Sequence, residues 1–342
     1  MPTPGSVELW LLEELGRDAE SLAITPTANI RGSDKTQQYI VVLNALQREL
    51  YSWAENDLKG EYAKAVADTL EKAGKLGFDT AITQRDVLES EFTDVGEFTK
   101  RAKESFRLIK PGTLADIRQK KTTLTQEATR AYFRDANVGT RKEYMQKVMN
   151  DLSDKGIQSV RYSSGAKMNI REYSEMVART NINNAGREAA MDTQRRMGND
   201  LVRMTVHYPT CQYCAAYQGR VLSVTGRSSK YPSVDEARGY GALHPNCSHG
   251  LNPYYEGISD KEITVNQGEL TKAQNEARYE FKRQQRYYER QVRKWKKRER
   301  SAITEEMSRK AEDKMESYRG RIRELVSSKS YLVRKPERET IF

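Results

Sequence analysis

Through the first 160 residues, apolar side chains recur at helical spacing. Ile40, Leu43, Leu46, Leu50 and Trp53 follow one another at intervals of three and four, which places them on one face of a helix. Ser33 and Asp34 stand ahead of that run as capping residues. Gly60, Gly74 and Gly77 are read as punctuation of a second helix that carries Tyr62, Ala65, Val66 and Leu70. Val87, Leu88, Phe92, Val95, Phe98 and Phe106 mark further helical pieces. Lys110-Pro111-Gly112 predicts a firm break. Helix is expected to resume over 113–135 and again over 140–152, with Gly156 ending the run.

After Gly156 the period shortens. Residues 157–162 alternate like a strand, and Ser163-Ser164-Gly165 is a turn. Asn169, with Glu172 three residues on, opens a helix over about 170–197 that Gly198 closes. Val202, Met204 and Val206 share one face of a second strand, and 221–224 is a short apolar run. These two strands carry a Cys-x-x-Cys turn between them. The polar stretch 226–243 reads as a long loop, a length that calls for an outside constraint. From Gly268 to Gly320 neither Gly nor Pro interrupts. Leu270, Ala273, Ala277, Phe281, Tyr288, Val292 and Trp295 trace a narrow apolar stripe there. A break is expected near Ser301–Thr304, where Thr304-Glu305-Glu306 has the character of a new N-terminus.

The expected fold is mostly α and elongated. A small α+β, zinc-stapled central domain (156–258) stands between a helical N-terminal region (1–155) and a basic helical C-terminal region (259–342). Composition agrees: 31% of the 342 residues are charged, 37% are hydrophobic, and mean hydropathy is −0.84. The net charge of +10 and pI near 9.3 favour a polyanionic partner. That surplus gathers at Arg286, Arg290, Arg293, Lys294, Lys296, Lys297 and Arg298, the candidate residues for nucleic-acid or partner contact. No apolar run is long enough to span a bilayer, and the N-terminus has no secretory-signal pattern.

The chemistry sits in one place. All three cysteines and all three histidines fall between His207 and His249. Cys211 and Cys214 have the spacing that lets two sulfurs face one ion, and His244 and Cys247 repeat it. His249 follows two residues later. The candidate metal ligands are therefore Cys211, Cys214, His244, Cys247 and His249, five groups for four tetrahedral places. Cys211, Cys214 and Cys247 are preferred, with either His244 or His249 as the fourth and His207 the weakest candidate. The set points to structural Zn2+, since a full Cys/His shell leaves no open position for water. Three buried cysteines packed as small hydrophobes is the plainer alternative. The His-x-Glu of zinc deaminases is missing, and so are His-Glu-x-x-His, a phosphate-binding Gly-Lys-Ser/Thr loop and a Gly-x-Ser-x-Gly elbow.

Several segments resemble the phage minor capsid protein 2 family, which is akin to the Mu-F-type minor head proteins. The likeness runs from Glu172-Tyr173-Ser174-Glu175-Met176-Val177-Ala178-Arg179-Thr180 through Asn184, Ala185 and Gly186. It continues at Val206-His207, Cys211-x-x-Cys214, Tyr217-Gln218-Gly219-Arg220-Val221, Tyr231-Pro232-Ser233 and Glu236-Ala237. It is sharpest at Leu243-His244-Pro245-Asn246-Cys247-Ser248-His249, where Ser248 replaces the family's usual Arg. It ends in the basic helix around Tyr288–Arg298 and at Leu332-Val333-Arg334 with Arg338-Glu339. About half the chain, residues 157–342, is covered.

The resemblance implies a virion protein without enzymatic activity. Such a protein is assembled in the bacterial cytoplasm and held at the portal vertex inside the head. Its partners would be the portal protein, the major capsid protein and packaged DNA, bound without sequence preference. One alternative is a zinc-dependent nucleic-acid enzyme of nuclease type, for which Asp235 and Glu236 are the nearest acids. Another is a basic DNA-binding adaptor outside any particle.

Overall fold

The structure is a computed structural model, and it describes residues 3–25, 35–76, 82–89, 95–134, 137–245, 247–259 and 271–340. The expectations for Ser33, Asp34, Gly77, Phe92, Asp135, Asn246, Gly268 and Leu270 lie outside the described residues. The chain is mostly helical, with a small strand region. It divides into two compact units, each drawn from separated stretches. Unit 1 comprises Met1–Leu50, Ser105–Glu175 and Lys282–Phe342, and unit 2 comprises Tyr51–Glu104 and Met176–Phe281.

Unit 1 is built on α1 (Pro4–Ile24), α5 (Ile109–Arg134) and α6 (Val138–Lys155), which pack pairwise. Thr3 caps α1 in a reciprocal capping box with Ser6. The α1 side chains Leu11, Leu12, Leu15 and Leu22 are fully buried, as are Leu124, Met145 and Met149 from the partner helices. Lys110-Pro111-Gly112 does not break the chain where expected. The interruption is one residue at Leu108, between α4 (Val95–Arg107) and α5. Pro111 sits in the first turn of α5, where its missing N–H has no helical acceptor to lose. Gly112 lets a strand approach: a Cβ there would stand 1.7 Å from Ser159 O. That strand is β1 (Gln158–Arg161), which forms an antiparallel hairpin with β2 (Lys167–Asn169) across the expected turn. Asn169 Oδ1 accepts from Glu172 N at 2.9 Å, the cap that opens α7 (Ile170–Arg196).

From Lys282 onward unit 1 adds a helical pair. The expected break near Ser301–Thr304 separates α10 (Lys272–Arg300) from α11 (Glu305–Ser327), and Thr304 caps the latter. Val292, Met315 and Ile322 form their buried seam, with Tyr288, Trp295, Tyr318 and Val326 against it. Tyr288, Val292 and Trp295 of the expected stripe therefore do core work, whereas Ala273 and Ala277 are exposed.

Unit 2 surrounds a three-stranded antiparallel sheet, β4-β3-β5. β3 is Leu201–Met204, β4 Val221–Ser223 and β5 Leu251–Pro253. Val202 and Met204 point into the core as expected, but Val206 lies beyond the strand and is exposed. A short helix, α8 (Gln212–Ala215), carries the Cys-x-x-Cys segment, and α9 (Val234–Gly239), capped by Ser233, shortens the expected loop. The unit also holds α3 (Gln84–Leu88), most of α4 and the second half of α2 (Lys35–Lys75). α2 runs unbroken through Gly60 and Gly74, contrary to the expected punctuation. A lone Gly costs a helix only about 1 kcal/mol, and the buried Leu58, Tyr62 and Val66 around Gly60 outweigh that. The buried Tyr62 hydroxyl donates to Asp192 Oδ2 at 3.0 Å, tying α2 to α7 inside the unit.

Candidate metal centre

The sheet of unit 2 brings the cysteines together from two loops. β3 leads into α8, whose N-cap is Cys211, with the Cys211 sulfur accepting from Cys214 N. β4 leads through α9 to the segment 243–249, and β5 follows it. Gly219, at φ 77, makes the turn into β4 that the family motif carries, and its N–H donates to Met204 O.

Two overlapping groups of donor atoms result: Cys211, Cys214 and His244, and Cys214, Cys247 and His249. Within each group all donor atoms lie within 4.8 Å of one another. Cys214, Cys247 and His249 are buried, while Cys211 and His244 are partly exposed. Cys211 Sγ is 3.3 Å from His244 Nε2, Cys214 Sγ is 3.5 Å from Cys247 Sγ, and Cys247 Sγ is 3.3 Å from His249 Nδ1. Bonds of about 2.0 to 2.3 Å in a tetrahedron imply ligand–ligand edges of roughly 3.3–3.8 Å. These three contacts stand at the separations a tetrahedral ion requires, while Cys211 and Cys247 fall in different groups and share only Cys214.

Each imidazole turns one nitrogen away from the cluster and the other toward a sulfur, by opposite nitrogens. His244 Nδ1 faces the carbonyl of Pro245 at 2.8 Å, an oxygen that can only accept. That keeps a proton on Nδ1 and leaves Nε2 as the nitrogen facing Cys211. His249 Nε2 faces Gln218 Oε1 at 3.2 Å and Thr210 Oγ1 at 3.5 Å, which leaves Nδ1 toward Cys247. Metal-binding histidines hold the second nitrogen this way. His207 stacks edge-on against His249 and pairs with Thr205, and it belongs to neither donor group.

The sulfurs are electrostatically unequal. The hydrogen bond from Cys214 pushes Cys247 well below the usual thiol range; burial opposes this, and the His249 ring reinforces it. Cys214, the donor of that bond and itself buried, is raised in turn. Burial works against the Cys211 thiolate, but the backbone N–H of Cys214 and the His244 ring outweigh it and lower its pKa. Two lowered thiols and a third buried one beside two imidazole nitrogens make a donor set that fits a thiophilic divalent cation such as zinc.

Sequence reasoning missed Arg187, on α7. It is 2% exposed and holds the 243–249 segment by three carbonyls. Nε donates to His249 O at 3.0 Å, Nη1 to Leu243 O at 3.2 Å and Nη2 to Cys247 O at 3.0 Å. Asn183 adds a second donor to Cys247 O at 2.8 Å. Leu243 holds φ 55, a left-handed conformation Leu rarely adopts, and this clamp fixes it. The only available signal was an Arg one residue past the Asn184-Ala185-Gly186 likeness.

The two acids nominated for a nuclease, Asp235 and Glu236, join neither donor group. Both lie in the first turn of α9, where Asp235 pairs with Arg238. The basic residues of α10 are mostly engaged inside unit 1. Arg286 pairs with Glu289, Lys294 and Arg298 with Asp154, Lys296 with Glu299 and Lys297 with the buried Glu8. Arg293 donates to the Arg338 carbonyl, and burial lowers its pKa. Arg290 is exposed and has no carboxylate partner among the described residues.

Fold and site together define a mostly helical protein whose second unit holds a partly buried thiol–imidazole knot. The model of the phage minor capsid protein 2 family matches residues 36–327, and the chain belongs to that family. It is 30% identical to a structural protein of Lactococcus phage LL-H over 195 residues, 52% of this chain and 49% of that protein. The chain thus spans about half the length of that relative. A structural protein of Lactococcus phage mv4 is 38% identical over 120 residues, 33% of this chain and 93% of that protein. No solved structure matches. Among the described residues no helix is long and apolar enough to cross a membrane.

Proposed function

We propose that the protein is a non-catalytic minor component of a tailed-phage head, seated at the portal vertex inside the shell, with its Cys/His knot closed by a structural zinc ion. The observation that carries this reading is the family match, which extends through residues of both compact units. The names of the two relatives, both structural proteins, support it. Zinc would be held by Cys211, Cys214, Cys247 and one of His244 and His249. Bound there, it would supply a cross-link between the α8 turn and the 243–249 segment, two loops otherwise joined by weak sulfur and imidazole contacts.

The portal protein and the major capsid protein are the proposed protein partners. Packaged DNA is the proposed polyanion, met without sequence preference along the exposed side of α10, where Arg290 is available. The protein is assembled in the host cytoplasm and retained in the virion. Metal analysis of the purified chain should find about one zinc per molecule, and cross-linking mass spectrometry of intact particles should join it to the portal. A metal-free folded chain would remove the zinc; cross-links confined to the outer shell or tail would remove the location.

A further inference from the structure

We infer that Arg187 is the counter-cation of the metal knot, and that the centre it balances is an anionic one with three thiolates. The inference rests on the proposed zinc and specifies its electrostatics. A buried cation is tolerated when it is paired, because desolvation of an unpaired charge costs several kcal/mol. Arg187 is 2% exposed, yet every acceptor it reaches is neutral. Three are the carbonyls of Leu243, Cys247 and His249, and the fourth is Asn184 Oδ1 at 3.0 Å. The neighbouring acid Glu188 is taken by Arg238 at 2.7 Å. Nothing in the hydrogen-bonded shell cancels the guanidinium charge.

The cysteines can. Arg187 sits against the knot, with Nη2 on the Cys247 carbonyl at 3.0 Å and Nε on the His249 carbonyl at 3.0 Å. A divalent ion with three thiolates and one neutral imidazole carries a net charge of −1, and Arg187 brings the pair to zero. Two thiolates and two imidazoles would leave a neutral centre and a stranded buried cation. The charge count therefore favours Cys211, Cys214 and Cys247 together over any set that replaces one of them with the second histidine, and it requires Cys211 and Cys247, which fall in different donor groups, to close on one ion. It also explains why one side chain grips the carbonyls of both Cys247 and His249: the cation that balances the centre also fixes the segment that delivers the ligands.

The test uses the full chain loaded with Co2+ and with Zn2+. In the wild type, the sulfur-to-cobalt charge-transfer band, whose intensity scales with the number of thiolates, should report three. A two-thiolate band overturns the proposal without any variant. Zinc affinity is then measured by competition with a chromophoric chelator, with circular dichroism as the check on folding. Arg187→Gln, which removes the charge, should bind zinc about 10- to 100-fold more weakly, the loss typical of an outer-shell partner. Arg187→Lys, which keeps the charge but loses the fork, should recover a substantial part. Equal affinity of Arg187→Gln and wild type overturns the counter-cation role. So does Arg187→Lys binding no better than Arg187→Gln, which would assign the residue to loop geometry alone. A wild type that binds neither ion sinks the zinc reading itself, a separate outcome.

Discussion

At the residue scale, two glycines in helices make opposite predictions. Gly112 lies where α5 meets β1, and a Cβ there would fall 1.7 Å from Ser159 O, inside covalent-like range. Backbone cannot yield as a flexible side chain would, so Gly112→Ala should destabilise by at least the 1–3 kcal/mol typical of overpacking. Gly60 lies in α2, exposed, with nothing within 4 Å of its would-be Cβ. Gly60→Ala should stabilise by about 0.5–1 kcal/mol through the lower entropy of the unfolded chain. Urea titration of both variants checks the pair, and a shift in the same direction for both would refute the argument. A second residue-scale case is Glu8, 0% exposed, which accepts from Lys297 Nζ at 2.6 Å and from Ile157 N at 3.1 Å. Lys297→Met should cost about 3–5 kcal/mol, because it leaves a carboxylate buried without its cation. The double variant with Glu8→Gln should regain much of that loss. A double variant no more stable than the single would show that packing of the Lys stem, not charge, accounts for the effect.

At the element scale, what was legible in the sequence is what local chemistry sets. Asn169 and Thr304 announce helix starts because a cap is a property of four adjacent residues, and both caps form. Gly156 and Gly198 announce helix ends, and both hold positive φ. β2 and β5 were missed, since three residues carry no period. Pro111-Gly112 misled because the same dipeptide serves a break and a helix's first turn, and the choice depends on β1 arriving from 47 residues downstream of Gly112 (Ser159 is its neighbour). The cluster was legible as a list of Cys and His; its clamp, Arg187, was not, because burial is invisible in one sequence. An ion-pair seam joins α6 to α10 within unit 1 and shows how such long-range contacts act. Arg298 grips Asp154 with two nitrogens, at 2.8 and 2.7 Å, and Lys294 adds a third contact at 2.8 Å. Burial works against the Asp154 carboxylate, but Arg298 and Lys294 outweigh it and hold its pKa below the ordinary 3.8. A carboxylate lowered on folding stabilises the fold at every pH above its unfolded value, and that contribution is lost as pH falls through the folded one. The stability gap between wild type and Asp154→Asn should therefore be constant from pH 7 to about 4 and close below it. A gap that persists unchanged at pH 3 would mean that the seam is held by packing and not by charge.

At the scale of the whole molecule, the two units hold themselves together by different means, and removal of the proposed zinc should act on unit 2 alone. Unit 1 has three long helices with interlocked leucines and methionines and a second helical seam at Val292, Met315 and Ile322. Nothing in that packing needs an ion. Unit 2 has a buried cluster too, from Met191 and Val202 to Cys247 and Leu251. Its sheet, however, consists of strands of three and four residues, too short to hold loops of the length of 226–250 by ladder hydrogen bonds alone. Local stability there should follow the knot, because binding free energy at a structural site is folding free energy. Hydrogen exchange of the zinc-loaded protein, before and after addition of a chelator, reads this directly. Amides in β3, α8, β4, α9 and β5 should exchange much faster after chelation, while those of α1, α5, α6 and the α10–α11 seam keep their protection. Loss of protection spread evenly through both units would mean that they fold as one cooperative body, with the ion stabilising all of it. No change anywhere would mean that the cysteines are packing residues and the knot closes unaided.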